Sequence, residues 1–156
     1  MKPGFVADVN VGRLARRLRM LGYDTLFING ADDDELIRIA LREGRILLTR
    51  DTGITTRRVV TTGKIKALLV ESDDVTDQLW QVVKALNLGP ESEPFSICIE
   101  CNVPLIPKEK DEVRDLVPPH VFKTHSQFVQ CPQCKRVFWR GTHWEKMMRE
   151  MEALKG

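Results

Sequence analysis

Two short cysteine pairs, CIEC at 98–101 and CPQC at 131–134, constrain this chain more than any other feature, because they use all four of its cysteines and leave none over. Two Cys-x-x-Cys knuckles supply four thiolates, the donor set of a tetrahedral structural zinc site. Paired cysteines can also form disulfides or a redox dithiol, but disulfides are rare in the cytosol and a redox site needs only one such motif. Iron in the same four-thiolate site is the remaining alternative. Cys98, Cys101, Cys131 and Cys134 are therefore expected to hold Zn²⁺. An ion with four thiolates keeps no open position for a substrate, so its role is structural.

The metal explains how the rest of the chain can be divided. At 156 residues the protein can bury one core of about 100 residues and add a small module that needs outside help to fold. The stretch LGPESEPFS at 88–96 combines prolines, a glycine, serines and glutamates without periodicity, and reads as a linker. We expect one domain over 1–90 and a zinc-ribbon domain with a C-terminal helix over 96–156. The 29 residues between the knuckles exceed a common ribbon spacing, and Pro104, Pro107, Pro118 and Pro119 suggest extended chain there. After the second knuckle, KRVFWRGTHW reads as a strand, a glycine turn and a helix opening at Thr142.

Before the linker, short β-rich runs alternate with helical ones. Strands are expected at 5–7, 25–28, 45–49 and 67–70, and helices at 11–21, 33–43, 54–62 and 75–86. That alternation implies an α/β fold with a parallel sheet sandwiched by helices. Gly22, Gly44 and Gly63 stand where helices should end in a left-handed cap. In the first helix Val11, Leu14, Ala15, Leu18 and Leu21 form one stripe. Arg13, Arg16, Arg17 and Arg19 form the other, either as solvated surface or as an edge that binds phosphate.

Parallel sheets bind ligands beyond the carboxyl ends of their strands. Asp8 ends the first expected strand and Asp51 ends the third, so both belong to one rim. In the run DDDE, Asp32 is the natural helix cap. Asp33 shares the inward stripe with Leu36, Ile37 and Ala40, whereas Asp34 and Glu35 point away. Three converging carboxylates would repel one another unless a cation sat between them, and oxygen donors with open geometry favour Mg²⁺ or Mn²⁺. The competing reading makes Asp8 and Asp51 simple caps. Asn10 is expected to cap the first helix, with an outer-shell partner of the acids as the alternative, Arg50 to pair an acid or touch phosphate, and Asp73 or Asp74 to complete the rim or start a helix.

Charge adds a partner. From 123 to 149 six cationic residues face only Glu145, and Phe138, Trp139 and Trp144 lie among Lys135, Arg136, Arg140 and Lys146. That mixture suits a surface that stacks bases and pairs phosphates, while small modules also need such rings as core. His143 is a candidate proton donor or a structural residue; His120 and His125 show no ligand spacing. No apolar run reaches the roughly 20 residues of a membrane span, and MKPGFVADVN lacks a signal-peptide profile, so a cytoplasmic protein is expected.

With these residues in view, the chain resembles the Mut-seven C-terminal RNase family, a PIN-like domain joined to a zinc ribbon, over nearly its whole length. The resemblance rests on DVNVGRLARRLRMLGYD at 8–24, ADDDELIRIALREGRILLTRD at 31–51, the two knuckles, and VFWRGTHW at 137–144. It implies a PIN-like fold and a metal-dependent ribonuclease, with the family's acids falling on Asp8, on Asp33 or Asp34, and on Asp51. Many PIN nucleases carry a fourth acid soon after the third-strand aspartate, where this chain has Gly53. The expected protein is a Mg²⁺- or Mn²⁺-dependent endoribonuclease acting on single-stranded RNA. Arg13, Arg17, Arg50, Arg136, Arg140 and Trp139 are its candidate substrate contacts. A non-catalytic RNA-binding adaptor with residual acids is the alternative. A receiver-type domain fits worst, since the acid pair and late lysine of that fold are missing and the ribbon would go unexplained.

Overall fold

The computed structural model describes residues 2–89 and 93–155, with the side chains of His143 and of residues 151–155 outside the described set. Four parallel strands, β1 (Phe5–Ala7), β2 (Thr25–Phe27), β3 (Ile46–Thr49) and β4 (Ala67–Leu69), form a sheet in the order β2-β1-β3-β4. Around it lie α1 (Gly12–Met20), α2 (Asp33–Glu43), the short α3 (Thr52–Thr55) and α4 (Arg58–Thr61), and α5 (Val75–Ala85). The protein is α/β, as expected. A single helix was expected over 54–62, but the segment breaks into two single turns at Arg57, which is extended at φ −67°, ψ 148° and caps α4.

Local chemistry sets these boundaries. The Asp32 side chain accepts from the Glu35 N–H at 2.9 Å, and Gly44 closes α2 in the left-handed conformation at φ +66°. Such a cap stabilises a helix by about 1 kcal/mol, and a Cβ at φ +66° would add strain. The stripe of α1 is buried as its periodicity predicts, except that Arg19 is buried with it, at 8% exposure. Helices cover both faces of the sheet. One apolar cluster gathers Phe5, Leu14, Leu18, Leu48, Leu79 and Val82; the other gathers Val6, Leu36, Ile37, Leu47 and Ile54.

The second module contains an antiparallel sheet, β5 (Ile106–Lys108), β6 (Phe128–Gln130) and β7 (Val137–Phe138), in the order β5-β6-β7. The insertion between the knuckles is extended only at its two ends, in β5 and β6. A 3₁₀ turn over Lys110–Leu116 and a helix, α6 (Pro119–Thr124), pack Val113, Val117 and Val121 on Phe128. Pro107 lies in β5 and Pro104 in a β-bridge, extended as expected, whereas Pro118 and Pro119 start α6 as its cap and in its first turn, where a missing N–H costs nothing. The last helix, α7 (Thr142–Lys155), opens at Thr142 as expected and buries Met147 in the first cluster of the parallel module. No helix among the described residues is long and apolar enough to cross a membrane. Pro90 to Ser92, the middle of the expected linker, lie outside the described residues.

Candidate functional site

The strand order reverses between β1 and β3, because the chain leaves β1 for β2 on one side and reaches β3 and β4 on the other. A crevice opens at the carboxyl ends of two such strands, and ligands of open parallel sheets settle there. Ala7 pairs with Leu48, so the next residue on each strand, Asp8 and Thr49, sits at the lip of that crevice.

Asp8 is 5% exposed and held rigidly. Its Oδ1 accepts from the Val9 N–H at 2.7 Å, and its Oδ2 accepts from the Thr49 hydroxyl at 2.7 Å. The fully buried Thr49 oxygen in turn accepts the Asp51 N–H at 3.0 Å. Thr49 therefore links the two acids. Nothing in its local pattern singles it out, because a threonine at the end of a strand is ordinary β composition. A carboxylate has about four acceptor sites, so these two hydrogen bonds leave Asp8 able to meet a further partner.

Asp51 is exposed, and its Oδ1 accepts from the Gly53 N–H at 2.8 Å, which makes it the cap of α3 as well as a member of the rim. Asp33 is half-buried at the first turn of α2. Its carboxyl is held above the ordinary carboxylate range, first by burial and then by the charges of Asp51 and Asp8, with Arg57 opposing. The three acids thus feel one another. Asp34 does not join them: it is exposed and bonded to Arg57 at 2.6 Å. Among the described residues, only the four cysteines form a group of three or more His, Cys, Asp or Glu donors all within 4.8 Å of one another, so the carboxylates are a looser set than one compact inner shell.

Beside the acids a groove of about 270 Å³ is lined by Asn10, Arg13, Arg50, Asp73 and Gln78. Asn10 does not cap α1, whose cap residue is Val11 and makes no side-chain hydrogen bond. Its Oδ1 instead accepts from the Arg50 N–H at 3.3 Å and ties the β3 loop to β1. Asp74, not Asp73, caps α5, accepting from the Asp77 N–H at 3.0 Å. Arg17 is half-buried on α1, apart from the residues that line this groove.

The four-cysteine cluster, the candidate metal centre, lies at the other end of the sheet. Cys98 Sγ and Cys134 Sγ are 3.8 Å apart, and all four sulfurs lie within 4.8 Å of one another. Tetrahedral Zn–S bonds of about 2.3 Å place sulfurs about 3.8 Å apart, so the cluster has the size of a zinc site. Burial pushes the Cys131 thiol up, but the Cys134 and Gln133 N–H groups outweigh it and bring it down to about 7. Burial and the neighbouring thiols push Cys101 up to about 12. Four crowded sulfurs cannot all ionise without a cation.

This centre is docked by Arg19 and Asn102. Arg19 Nε donates to Thr25 O at 2.8 Å, and its Nη1 donates to Ile99 O at 2.9 Å and Glu100 O at 3.3 Å. Asn102 accepts from the Thr25 N–H at 3.0 Å and donates to Asp24 at 2.7 Å. Thr25 starts β2, so the knuckle sits at the amino ends of the strands, while the acids occupy their carboxyl ends. Arg136 pairs with Glu100 at 3.1 Å, Arg16 pairs with the same carboxylate, and Arg140 lies over the Trp144 ring at 4.8 Å. Trp139 packs on the small core around Phe128, so the base-stacking and core readings of this ring are both compatible with its place.

A family model described as Mut7-C RNAse domain matches residues 3–151. No curated protein and no solved structure matches the chain.

Proposed function

The chain belongs to the Mut7-C RNAse domain family, and from that membership we propose that it is a Mg²⁺- or Mn²⁺-dependent, PIN-like endoribonuclease whose four-cysteine module holds zinc and helps to bind single-stranded RNA. The observation that supports the reading is Asp8 at the lip of the β1/β3 crevice, linked through Thr49 to Asp51, with Asp33 close enough to feel both charges. Asp8, Asp33 and Asp51 would hold the ion. When bound, such an ion lowers the pKa of a coordinated water and neutralises charge on a leaving phosphodiester oxygen.

The remaining work falls to the chain itself. The Thr49 hydroxyl and the Val9 N–H each bond one oxygen of Asp8 and hold its carboxylate in place. Arg13 and Arg50, on the groove beside the acids, would clamp phosphate and place the scissile bond. Asp34 is held by Arg57, so of the two neighbouring acids Asp33 is the ligand we assign. Four reduced cysteines suit the cytoplasm.

The test is cleavage of labelled single-stranded RNA with Mn²⁺. Asp8→Asn, Asp33→Asn and Asp51→Asn should each remove activity, whereas Asp34→Asn should retain most of it. Undiminished cleavage in the Asp8 and Asp51 variants would refute the assignment. The looseness of the acid set favours one rival, an RNA-binding adaptor, which predicts binding that falls steeply with salt and no cut product with any divalent ion.

A further inference from the structure

A second cavity, of about 400 Å³, opens between the segment that follows the linker and the sheet of the four-cysteine module. Its walls carry Phe95, Phe138 and Trp139, with Lys108, Gln127 and Arg140 among its polar residues. We propose that this cleft is a nucleobase pocket that takes one unstacked base of the RNA, a proposal that rests on the ribonuclease reading and names the form of substrate it selects.

Three observations converge on that occupant. The volume lies at the small end of the range for pockets that enclose organic ligands, and the lining combines aromatic faces with a few polar groups. The cations Lys108 and Arg140, set against Glu109 as the one acid of the lining, complement a phosphate chain. The Gln127 amide is exposed and has no hydrogen-bond partner among the described residues, so it is available to a base edge.

The wall built by Phe95 is held in place against a local preference. Phe95 has φ +64°, a left-handed conformation that bulky residues rarely adopt. Its ring packs on Trp144 with centroids 5.3 Å apart, and Arg140 lies on the same indole. Packing therefore over-determines a costly backbone, and the outcome is an aromatic wall facing the ribbon sheet. A base can enter such a slot only if it is free of its own stack. Paired bases in an RNA duplex are not, and the deep groove of A-form RNA hides them from side chains.

The experiment uses the full chain loaded with zinc, without added divalent ion, and a short oligouridylate carrying a single fluorescent aminopurine. Binding should quench the aminopurine, and annealing the complementary strand should abolish the quenching. Trp139→Ala should weaken binding about tenfold or more, the usual loss for one base–aromatic stack. Because Trp139 also packs on the module's core, Ser126→Trp serves as the second variant: it plugs the cleft from an exposed position and should weaken binding equally. Quenching that survives Ser126→Trp, or equal affinity for an oligonucleotide with an abasic site in place of the aminopurine, overturns the pocket and leaves the ribonuclease reading standing. Base-dependent quenching by a protein that cuts no RNA with Mn²⁺ supports the pocket and overturns the ribonuclease.

Discussion

The parallel module buries two apolar clusters that between them include Phe5, Leu14, Leu18, Leu36, Leu47 and Leu48, whereas the core of the four-cysteine module consists of Val113, Val117, Val121 and Phe128 with a few half-buried neighbours. A sheet covered on both faces can tolerate a buried carboxylate such as Asp8, because each of its oxygens already accepts a hydrogen bond. The smaller core has no such margin, and its cysteines converge on one point instead. The difference divides the chain: the acids gather where the apolar core is large, and four thiols able to hold a metal gather where it is small.

The largest effect that can break this contrast is loss of zinc. Cys131→Ser, or exhaustive chelation, should unfold the second module, since structural zinc contributes about 10–16 kcal/mol in small metal-folded peptides. Limited proteolysis should then degrade the chain beyond residue 93 while a fragment ending near residue 89 persists. Simultaneous loss of both parts would show that they are one cooperative unit.

Next in size is the coupling itself. Arg19→Met removes the donor to three backbone carbonyls and should cost about 3 kcal/mol, read as a lower urea midpoint or as two separated transitions. A single unshifted transition would mean that α7, through Met147, carries the docking instead.

Within the parallel module, Thr49→Val keeps the shape but strips Asp8 of a donor and the Asp51 N–H of its acceptor. Ribonuclease activity should fall about 10–100-fold, the usual penalty for losing a partner that orients a metal ligand, with urea stability less affected. A fall in stability alone would make the threonine purely structural.

The smallest effect concerns pH. Burial pushes the Asp24 carboxyl up, but hydrogen bonds from Arg45 and Asn102 outweigh it and hold it below its ordinary value. A carboxylate depressed on folding contributes stability that is present above its unfolded pKa of about 3.9 and is lost as pH falls through the lower folded value. Asp24→Asn should flatten the acid limb of the stability profile slightly, because the pair is largely solvent-exposed on the Asp24 side. An unchanged acid limb would place acid sensitivity elsewhere, and the thiolates, which protonate in the same direction, are the next group to test.

Much of this contrast was legible in the sequence. The helix over Asp33–Glu43 is set by local signals, an aspartate cap and a left-handed glycine, and both lie within a few residues of the ends they control. The cysteine spacing is equally local. The placement of Asp8 and Asp51 on one rim follows from alternation alone, since every parallel strand presents the same end to the same side. What sequence reading missed depends on partners far away in the chain. Arg19 lies among other arginines on a helix, and only Ile99 and Glu100, some eighty residues later, make it a buried latch. Asn10 has the form of a helix cap and serves a distant loop. The short helices at 110–124 follow prolines that read as extended chain until Val113, Val117 and Val121 find Phe128.

Gly22 shows how far that interdependence reaches. A Cβ built there would lie 2.2 Å from the Glu93 carbonyl oxygen, on a backbone at φ +92°. The turn that ends α1 and the stretch of chain leading into the metal module therefore press against each other with no room for a methyl group. Grafting the C-terminal half onto another α/β scaffold would consequently demand a bare backbone at the matching corner of the host, so that a single hydrogen atom decides which recombined proteins can close.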